Sequence, residues 1–500
     1  MVVVLLASAA TVDAAPSRAA PDPAALDRYL ADPRTATGLP GMAVAVTRGP
    51  DVVHLAGFGT DGRGAPITPS TRFRIASLSK SFTAAALLQL AEARRIDLDA
   101  PVRRYLPGFA TADPGASART TVRDLLNHTS GIADTGFPAI TADEQDLERR
   151  VASLRSARPA SEPGTEFHYS DPNYQVLARL VEVVTGEPWA RYLAREVFAP
   201  LGMTRTLATV TAAEAGPRAP DLAEGHVLVF GIPVARAELD GLVAGSTGVV
   251  STAEDMARWL VMQSTGGGRL LSPEAVAVMH SPPAGVPGGY GMGWQVVTPE
   301  QGSRRIEHTG VLSTFSAVQV LLPDSGYAFA LLWNANSALA DTAGVTTALA
   351  ALLSGTGEAT RPRSTVLVSA VLGGVCVLFL GVRTRTFVRL DQWRRRRAGR
   401  PWWTAAPGIA WLILPAALLA GLVPLISAMT GRVFTFWQLS LAMPDAVALL
   451  AVAAVSGAAL AVARVAGLVA DRRERKRRRG CRSASTPASS RMFGGERPQR

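Results

Sequence analysis

Cysteine is almost absent from this chain of 500 residues, which contains only Cys376 and Cys481. Cys376 lies in a hydrophobic run and Cys481 in a basic tail, so no disulfide can form in the long N-terminal part. That part must be stabilised by a hydrophobic core, and its length permits a core of sufficient size.

Motifs for cofactors are also lacking. The six histidines form no His-x-x-x-His pair and there is no cysteine cluster, so the sequence predicts neither a metal site nor another cofactor. No Gly-x-Ser-x-Gly motif occurs, which argues against a serine esterase of the α/β-hydrolase type.

Lysine is the third scarcity, because only Lys80 and Lys476 are lysines among 51 basic residues. Arginine cannot lose its proton in a protein, whereas a buried lysine can have its pKa lowered until it accepts one. The Ala/Leu-rich run after Lys80 favours a helix that begins near Ser77, and residues three apart share a helix face. Ser77-x-x-Lys80 therefore predicts a nucleophile beside a general base. The alternative is a chance match, since this short pattern is common on solvated helices.

Basic charge is concentrated at the C-terminus. Residues 383–500 hold 21 basic and 5 acidic side chains, whereas residues 1–382 hold 30 and 35. No basic stripe with interleaved aromatics lies in the folded part, so the charge indicates membrane topology and argues against nucleic acid as a partner.

Three apolar segments in that region are long enough to span a bilayer, at residues 364–382, 401–431 and 446–470. Eight arginines separate the first two segments and seven basic residues follow the third, whereas only Arg432 lies between the second and third. This alternation predicts a multi-pass membrane protein with its N-terminal domain outside the cytoplasm. Buried helices of a soluble domain are the alternative. A transporter is disfavoured because no span has an acidic residue inside it.

The order of the other elements predicts an α/β domain. β-type runs at residues 41–47 and 52–58 form a hairpin, and alternating strands at 317–322 and 327–332 form another. Helical patterns at residues 143–154, 176–184 and 253–259 lie between these hairpins, and a last one covers 341–353. One antiparallel sheet flanked by helices, with an all-helical subdomain, fits this arrangement.

Two further stretches carry candidate chemistry. The first is Tyr169-Ser170-Asp171, which follows Pro163-Gly164, so the phenol of Tyr169 is expected at a loop tip before a helix. The second is His308-Thr309-Gly310, which opens a strand. The alternative for Tyr169 is a packed loop aromatic, and the alternative for His308 is an ordinary strand histidine.

Together with Ser77-x-x-Lys80, these motifs resemble the class C β-lactamase and D-alanyl-D-alanine carboxypeptidase family. Further motifs follow in the family's order: Leu125-Leu126-Asn127-His128-Thr129-Ser130-Gly131, Pro200-Leu201-Gly202-Met203, Ser251-Thr252-Ala253-Glu254-Asp255 and Tyr290-Gly291-Met292-Gly293-Trp294. The resemblance implies an α/β sandwich beside a helical lobe, with the site between them. It makes Ser77 the acylated nucleophile and Lys80 and Tyr169 the proton-transfer pair. It places the oxyanion on the backbone N–H groups of Ser77 and Val311, and the substrate along His308, Thr309 and Gly310.

Two residues depart from the family's pattern. Asp171 replaces the asparagine of Tyr-x-Asn, and a carboxylate there is expected to pair with Lys80, raise its pKa and weaken it as a base. His308 replaces a lysine found in many β-lactamases, which resembles the carboxypeptidases and esterases of the family and removes a fixed charge for a substrate carboxylate. A rival register, as in enzymes with Ser-Asp-Asn, would use Ser170 and Asp171 instead of Tyr169.

The predicted organisation is a signal-like leader and linker (1–21), a hydrolase domain (22–358), a linker with a first span (359–382), a basic cytoplasmic loop (383–404), two spans (405–470) and a basic cytoplasmic tail (471–500). The predicted function is a membrane-anchored extracytoplasmic serine hydrolase acting on an amide, ester, D-Ala-type peptide or β-lactam carbonyl. Its expected partners are a small-molecule or peptidoglycan-derived substrate and the lipid bilayer. The alternative is a non-catalytic cell-wall or β-lactam sensor that uses the same pocket. The sequence leaves the oligomeric state open.

Overall fold

The computed structural model of this protein describes residues 26–27, 29–30, 37–134, 146–298, 303–356, 363–430 and 433–484. Contacts between Cα atoms divide it into two compact units. The larger unit runs to Leu228 and again from Ile232 to Val366, and the smaller contains Val229–Gly231 and the chain from Leu367 onward. The predicted leader and the end of the basic tail lie outside the described residues, as does Arg432.

A six-stranded antiparallel sheet forms the centre of the larger unit, in the order β2-β1-β11-β10-β9-β8. Strands from both ends of the unit meet where β1 pairs with β11. Its strands are β1 (Gly41–Arg48), β2 (Asp51–Gly59), β8 (Gln295–Val297), β9 (Arg305–Val311), β10 (Ser316–Leu322) and β11 (Tyr327–Trp333). Two small sheets contain β3 (Phe73–Arg74), β4 (Leu207–Ala208), β5 (His226–Val229), β6 (Ile232–Ala235), β7 (Val249–Ser251) and β12 (Ala335–Asn336).

The central strands are buried on both faces. Alternate residues of β1 belong to two separate apolar clusters, Ala43 and Ala45 to one and Val44 and Val46 to the other. This follows from the two-residue period of a strand, which sends successive side chains to opposite faces. Continuous apolar runs such as β1 and β11 therefore require a helical layer on each side of the sheet.

Helices supply both layers. Those of the larger unit are α1 (Ser79–Glu92), α2 (Pro114–Arg119), α3 (Val122–Leu126), α4 (Leu147–Ser153), α5 (Asp171–Thr185), α6 (Trp189–Tyr192), α7 (Ala215–Arg218), α8 (Ala253–Ser264), α9 (Pro273–Met279) and α10 (Thr342–Ser354). Helix α8 packs on β1 and β11, and α10 contributes Val345 and Leu349 to the cluster on the opposite face. Helices α1, α3 and α4 all pack against α5, which forms the helical lobe. The predicted antiparallel sheet flanked by helices is confirmed.

Several predicted elements begin at different residues. Helix α5 starts at Asp171 rather than near residue 176, because Pro172 fits the first turn of a helix although the apolar periodicity is not yet visible there. Helix α4 starts at Leu147, and Asp146 caps it by accepting from the N–H of Glu148. Thr252 caps α8, because its hydroxyl accepts from the N–H of Asp255.

Among the described residues, three helices are long and apolar enough to cross a membrane, over Thr365–Val388, Trp402–Met429 and Pro444–Arg477. All but the first two residues of these helices belong to the smaller unit. Only 11%, 6% and 33% of their most apolar windows are buried within the protein, which does not fit buried helices of a soluble domain. The helices of this unit are α11 (Thr365–Val388), α12 (Leu390–Arg397), α13 (Ala406–Thr430), α14 (Phe436–Ala442) and α15 (Pro444–Ala484). The short helices α12 and α14 were not predicted from the sequence.

Candidate active site

Ser77 lies in a tight turn rather than in the first turn of an α-helix. Residues Ala76–Leu78 form a 3₁₀ helix directly before α1. The preceding Ala76 is fully buried with φ 50°, a left-handed conformation that is costly for any residue with a Cβ. Ser79 holds this turn in place, because its hydroxyl donates to the Ala76 carbonyl at 2.6 Å and accepts from the N–H of Val249 at 3.0 Å.

A buried polar chain attaches the same turn to the central sheet. Ser81 donates its hydroxyl proton to the Leu78 carbonyl at 2.7 Å and accepts from the Gln319 amide at 3.1 Å. Gln319 in turn accepts from the indole N–H of Trp259 at 3.2 Å, and Trp259 stacks on Phe82 with ring centroids 4.0 Å apart. Strand β10 and helix α8 therefore fix the direction in which α1 leaves the Ser77 turn.

Lys80 is fully buried and its Nζ has three acceptors. It donates to Asp171 Oδ1 at 2.6 Å, to Ser77 Oγ at 3.2 Å and to the Ser246 carbonyl at 3.2 Å. These acceptors, together with a hydrogen bond to Tyr169, satisfy the three protons of an ammonium group. Burial alone would lower the pKa of Lys80, but the charges and hydrogen bonds of Asp171 and Tyr169 outweigh it, so the pKa is raised. The ion pair expected between Asp171 and Lys80 is therefore present.

Tyr169 contacts Lys80 directly. The centre of its ring is 4.8 Å from Lys80 Nζ, and its charge and hydrogen bond act on the pKa of Lys80. Ser170 is fully buried, and its Oγ has no hydrogen-bond partner among the described residues. These contacts favour the register that uses Tyr169 over the rival one that uses Ser170.

His308 is a neutral, fixed side chain. Its Nδ1–H donates to the Thr309 carbonyl at 2.7 Å, and its Nε2 accepts from the Tyr290 hydroxyl at 2.9 Å. Burial and the nearby charge of Lys80 lower the pKa of His308 to about 3. Burial also raises the pKa of Tyr290 well above 10, so the phenol keeps its proton. His308 consequently offers no positive charge at neutral pH.

Strand β9 brings its end against the Ser77 turn. Strand β8 pairs with β9 only as far as Glu307, so that edge has no strand partner at His308–Val311 within the described chain. A Cβ at Gly310 would lie 2.5 Å from the Ile75 carbonyl oxygen and 3.0 Å from Ala76 Cβ, which shows how closely the two backbones approach. Thr309 and Val311 are exposed, with 59% of Val311 accessible, whereas His308 and Gly310 are buried.

Two supporting groups were not predicted from the sequence. One is the Ser246 carbonyl, a backbone acceptor that any residue type could supply. The other is Glu238, whose carboxylate accepts from the N–H groups of Ser313 and Thr314 at 3.1 and 2.9 Å and so holds the turn after Val311. Neither has a motif that would have marked it.

Aromatic rings surround Tyr169. The ring of His128 lies 4.5 Å from Tyr169 and 4.8 Å from Tyr290, measured between centroids. Its Nδ1 accepts from the Ser170 N–H at 3.2 Å and from the Asn173 amide at 3.0 Å. The motif around His128 was recognised in the sequence, but this positioning of the Tyr169 loop was not.

The arrangement suits nucleophilic chemistry at a carbonyl. A hydroxyl, an amine and a phenol lie in contact, beside an open strand edge that can present backbone N–H groups. Among the described residues no group of three or more His, Cys, Asp or Glu side chains is placed to hold a metal ion.

Comparisons with known proteins find relatives of the larger unit. The family model described as "Beta-lactamase" matches residues 26–353. Penicillin-binding protein 4 of Amycolatopsis lactamdurans is 32% identical over 320 residues, which is 60% of this chain and 82% of that protein. Protein flp of Staphylococcus aureus (strain N315) is 28% identical over 309 residues, and the chain spans only 60% of its length. The octameric penicillin-binding protein homologue from Pyrococcus abyssi has a similar fold, with a TM-score of 0.58, 24% identity, and coverage of 70% of this chain and 81% of that one.

Gly310→Ala tests the close approach of β9 to the Ser77 turn. Because the new methyl group would overlap the Ile75 carbonyl oxygen, we expect the free energy of unfolding to fall by about 1–3 kcal/mol. Gly108→Ala is the control, since nothing lies within 4 Å of the added Cβ, and it should change stability by about 0.5 kcal/mol or less. Chemical unfolding of the detergent-solubilised protein, followed by tryptophan fluorescence, measures both. Equal stability of the two variants would show that the strand does not press on the turn.

Proposed function

Because the chain belongs to the beta-lactamase family, we propose that it is a membrane-anchored extracytoplasmic serine hydrolase that works through an acyl-enzyme. The observation that carries the proposal is the contact between Lys80 Nζ and Ser77 Oγ, 3.2 Å apart in a buried site that also holds Tyr169. The substrate class is an amide, ester, D-Ala-type peptide or β-lactam carbonyl.

The proposed reaction has two steps. Ser77 Oγ bonds to the carbonyl carbon while its proton passes to the Lys80–Tyr169 pair, and the bond to the leaving nitrogen or oxygen then breaks as that group takes the proton. Water next attacks the acyl-enzyme, gives up a proton along the same route, and releases the acid and Ser77. In the structure Lys80 donates toward Ser77, so it must lose one proton before it can accept another.

Backbone donors would stabilise the intermediate. We assign the oxyanion to the N–H groups of Ser77 and Val311, since the Ser77 turn begins a helix and Gly310 brings the end of β9 against it. Thr309 is exposed at the same strand edge, where it can contact substrate. Loss of one such donor typically costs about 3 kcal/mol of transition-state stabilisation.

The C-terminal helices support the membrane placement. Three of them are apolar enough to cross a bilayer, and the arginine-rich segments lie before the second and after the third. By the positive-inside rule those segments are cytoplasmic, which puts the hydrolase domain on the outer side.

A sensor that binds without turnover is a second candidate, and one observation favours it. Asp171 holds Lys80 as an ammonium ion, which cannot take the proton of Ser77. Slow acylation of Ser77 without later release of the acyl group would then make the pocket a receptor for acylating ligands.

Lys80→Arg tests the base. Arginine keeps the positive charge but cannot surrender a proton, so turnover should fall by about 10²–10⁴-fold. Lys476→Arg makes the same change at the only other lysine and should leave turnover unchanged. The assay uses the full-length protein with p-nitrophenyl esters, a chromogenic cephalosporin and D-Ala-D-Ala peptides. A fluorophosphonate probe, which loses fluoride as it forms a phosphonate ester with a nucleophilic serine, reports covalent labelling of Ser77. Full activity in Lys80→Arg would refute the mechanism. Labelling of Ser77 without turnover in the wild-type protein would support the sensor.

Asp171→Asn tests the ion pair through the pH profile. Since Asp171 raises the pKa of Lys80, the neutral amine forms only as pH rises through that raised value, and the wild-type rate should increase with pH. Without the carboxylate, burial is opposed only by Tyr169 and the pKa of Lys80 should fall, so the acidic limb of kcat/KM should move to lower pH.

The control is Asp99→Asn, which removes a surface carboxylate paired with Arg123 and should not move the limb. If the acidic limb of kcat/KM does not move in Asp171→Asn, the ionisation of Lys80 does not determine that limb. Complete loss of activity would assign the proton acceptor to Asp171 itself.

Neutral His308 predicts the substrate's charge preference. A D-Ala-D-Ala peptide with a free carboxylate should react no more than about threefold faster than its C-terminal amide, because a charge-assisted bond worth tenfold or more is missing. His308→Lys should favour the free acid. A preference for the acid above about tenfold in the wild type would show that another cation binds the carboxylate.

A further inference from the structure

Arg464 interrupts the third apolar helix, and no carboxylate of the described residues pairs with it. The apolar sequence continues on both sides of it, from residue 446 to 463 and from 465 to 470. Within the described residues, no carboxylate lies within ion-pair distance of Arg464, and its buried Nε makes no hydrogen bond. A charged side chain inside a membrane helix is costly, so its counter-charge must be accounted for.

Arg464 lies near other arginines, which add to the positive charge around it. The Trp393 ring lies 4.9 Å from the Arg464 guanidinium carbon and 5.5 Å from that of Arg397. The electrostatic neighbours that act on Arg464 are Arg383 and Arg397, both positive. Arg383 also has a buried Nε without a hydrogen-bond partner among the described residues. We call Arg383, Arg397, Arg464 and Trp393 the arginine cluster.

This cluster lies at the start of the second span. A Cβ at Gly408 would be 3.8 Å from Arg464 Nη1, and Gly408 is in the first turn of α13. The free backbone N–H groups of a helix start add further positive potential at this level. Trp402 and Trp403 are 61% and 62% exposed just before α13, as expected for residues in the headgroup layer.

A neighbouring arginine shows a different solution. Arg394 on α12 pairs with Asp471 on α15 at 2.9 Å and with Asp391 at 3.7 Å. The chain thus neutralises that arginine with its own carboxylates, whereas no carboxylate in the part of the chain that the structure describes pairs with the arginine cluster. Two guanidinium groups lie near the Trp393 ring, and Arg383 adds a third positive charge that acts on Arg464. An external anion bound between them would offset this repulsion.

We propose that the arginine cluster binds the phosphate group of an anionic phospholipid on the cytoplasmic side. The guanidinium groups of Arg397 and Arg464 can each donate two hydrogen bonds to phosphate oxygens, and the acyl chains can lie along the apolar surface of α13 and α15. This inference depends on the membrane placement proposed above and is independent of the hydrolase chemistry.

Native mass spectrometry of the full-length protein with phosphatidylglycerol or phosphatidylcholine tests the site. We expect retained phosphatidylglycerol, and about tenfold weaker retention in Arg464→Gln and Arg397→Gln, which lose charge-assisted bonds. Arg385→Gln is the matched control, because it removes the same charge from an exposed position on α11 and should change retention by about twofold or less. Arg397 lies outside the spans, so its variant tests the site even if Arg464→Gln does not fold.

Several outcomes would overturn the proposal. Equal retention in Arg397→Gln and Arg385→Gln would show only general attraction to the basic loop. Displacement of phosphatidylglycerol by millimolar inorganic phosphate, or equal retention of phosphatidylcholine, would identify a free anion or an unspecific lipid instead. Release of the chain from membranes by alkaline carbonate would contradict the membrane placement on which this proposal depends. Labelling of Ser77 by the fluorophosphonate probe tests the hydrolase proposal separately.

Discussion

A fully buried ammonium group is the constraint on which the rest of the site depends. A charge without solvent must have its hydrogen bonds supplied by the protein, and the three acceptors of Lys80 come from positions 77, 171 and 246. One precedes α1, one begins α5 and one lies in the loop before β7. The fold must therefore bring three distant parts of the chain together, and displacing any one leaves a buried donor unpaired.

The Ser77 turn is costly to form, and its surroundings are arranged to hold it. Ala76 has a backbone conformation that L-residues avoid, and such strain persists only where neighbours over-determine it. Ser79 and Gln319 provide that constraint from opposite sides, one through β7 and the other through β10. Glycine at 310 then lets β9 close on the turn at a distance that a methyl group would prevent. The catalytic geometry proposed here is thus a property of the sheet as much as of α1.

Local patterns predicted a large part of this structure. The hairpins of β1–β2 and β10–β11 follow from alternation and turn residues, and the Ser77–Lys80 contact follows from helical spacing within four residues. The Tyr290–His308 hydrogen bond depends on how distant strands are placed, and the Ser246 carbonyl has no side-chain signature at all. Likewise, Arg464 was visible only as a break in an apolar run until Trp393 and Arg397 were seen beside it. Contacts between remote backbone positions are the part that one sequence could not supply.

The two departures from the family's motifs act on the same electrostatic balance. A lysine at 308 would place a second ammonium near Lys80, whose charge already helps to lower the pKa of His308. The carboxylate at 171 pairs with Lys80, and burial together with the Lys80 charge keeps His308 neutral. The site thus contains one cation balanced by one anion, where the family's lysine and asparagine would give two cations and no anion. Such a balance removes the attraction for negatively charged ligands. The substrate must then be oriented by the strand edge at Thr309 and Val311.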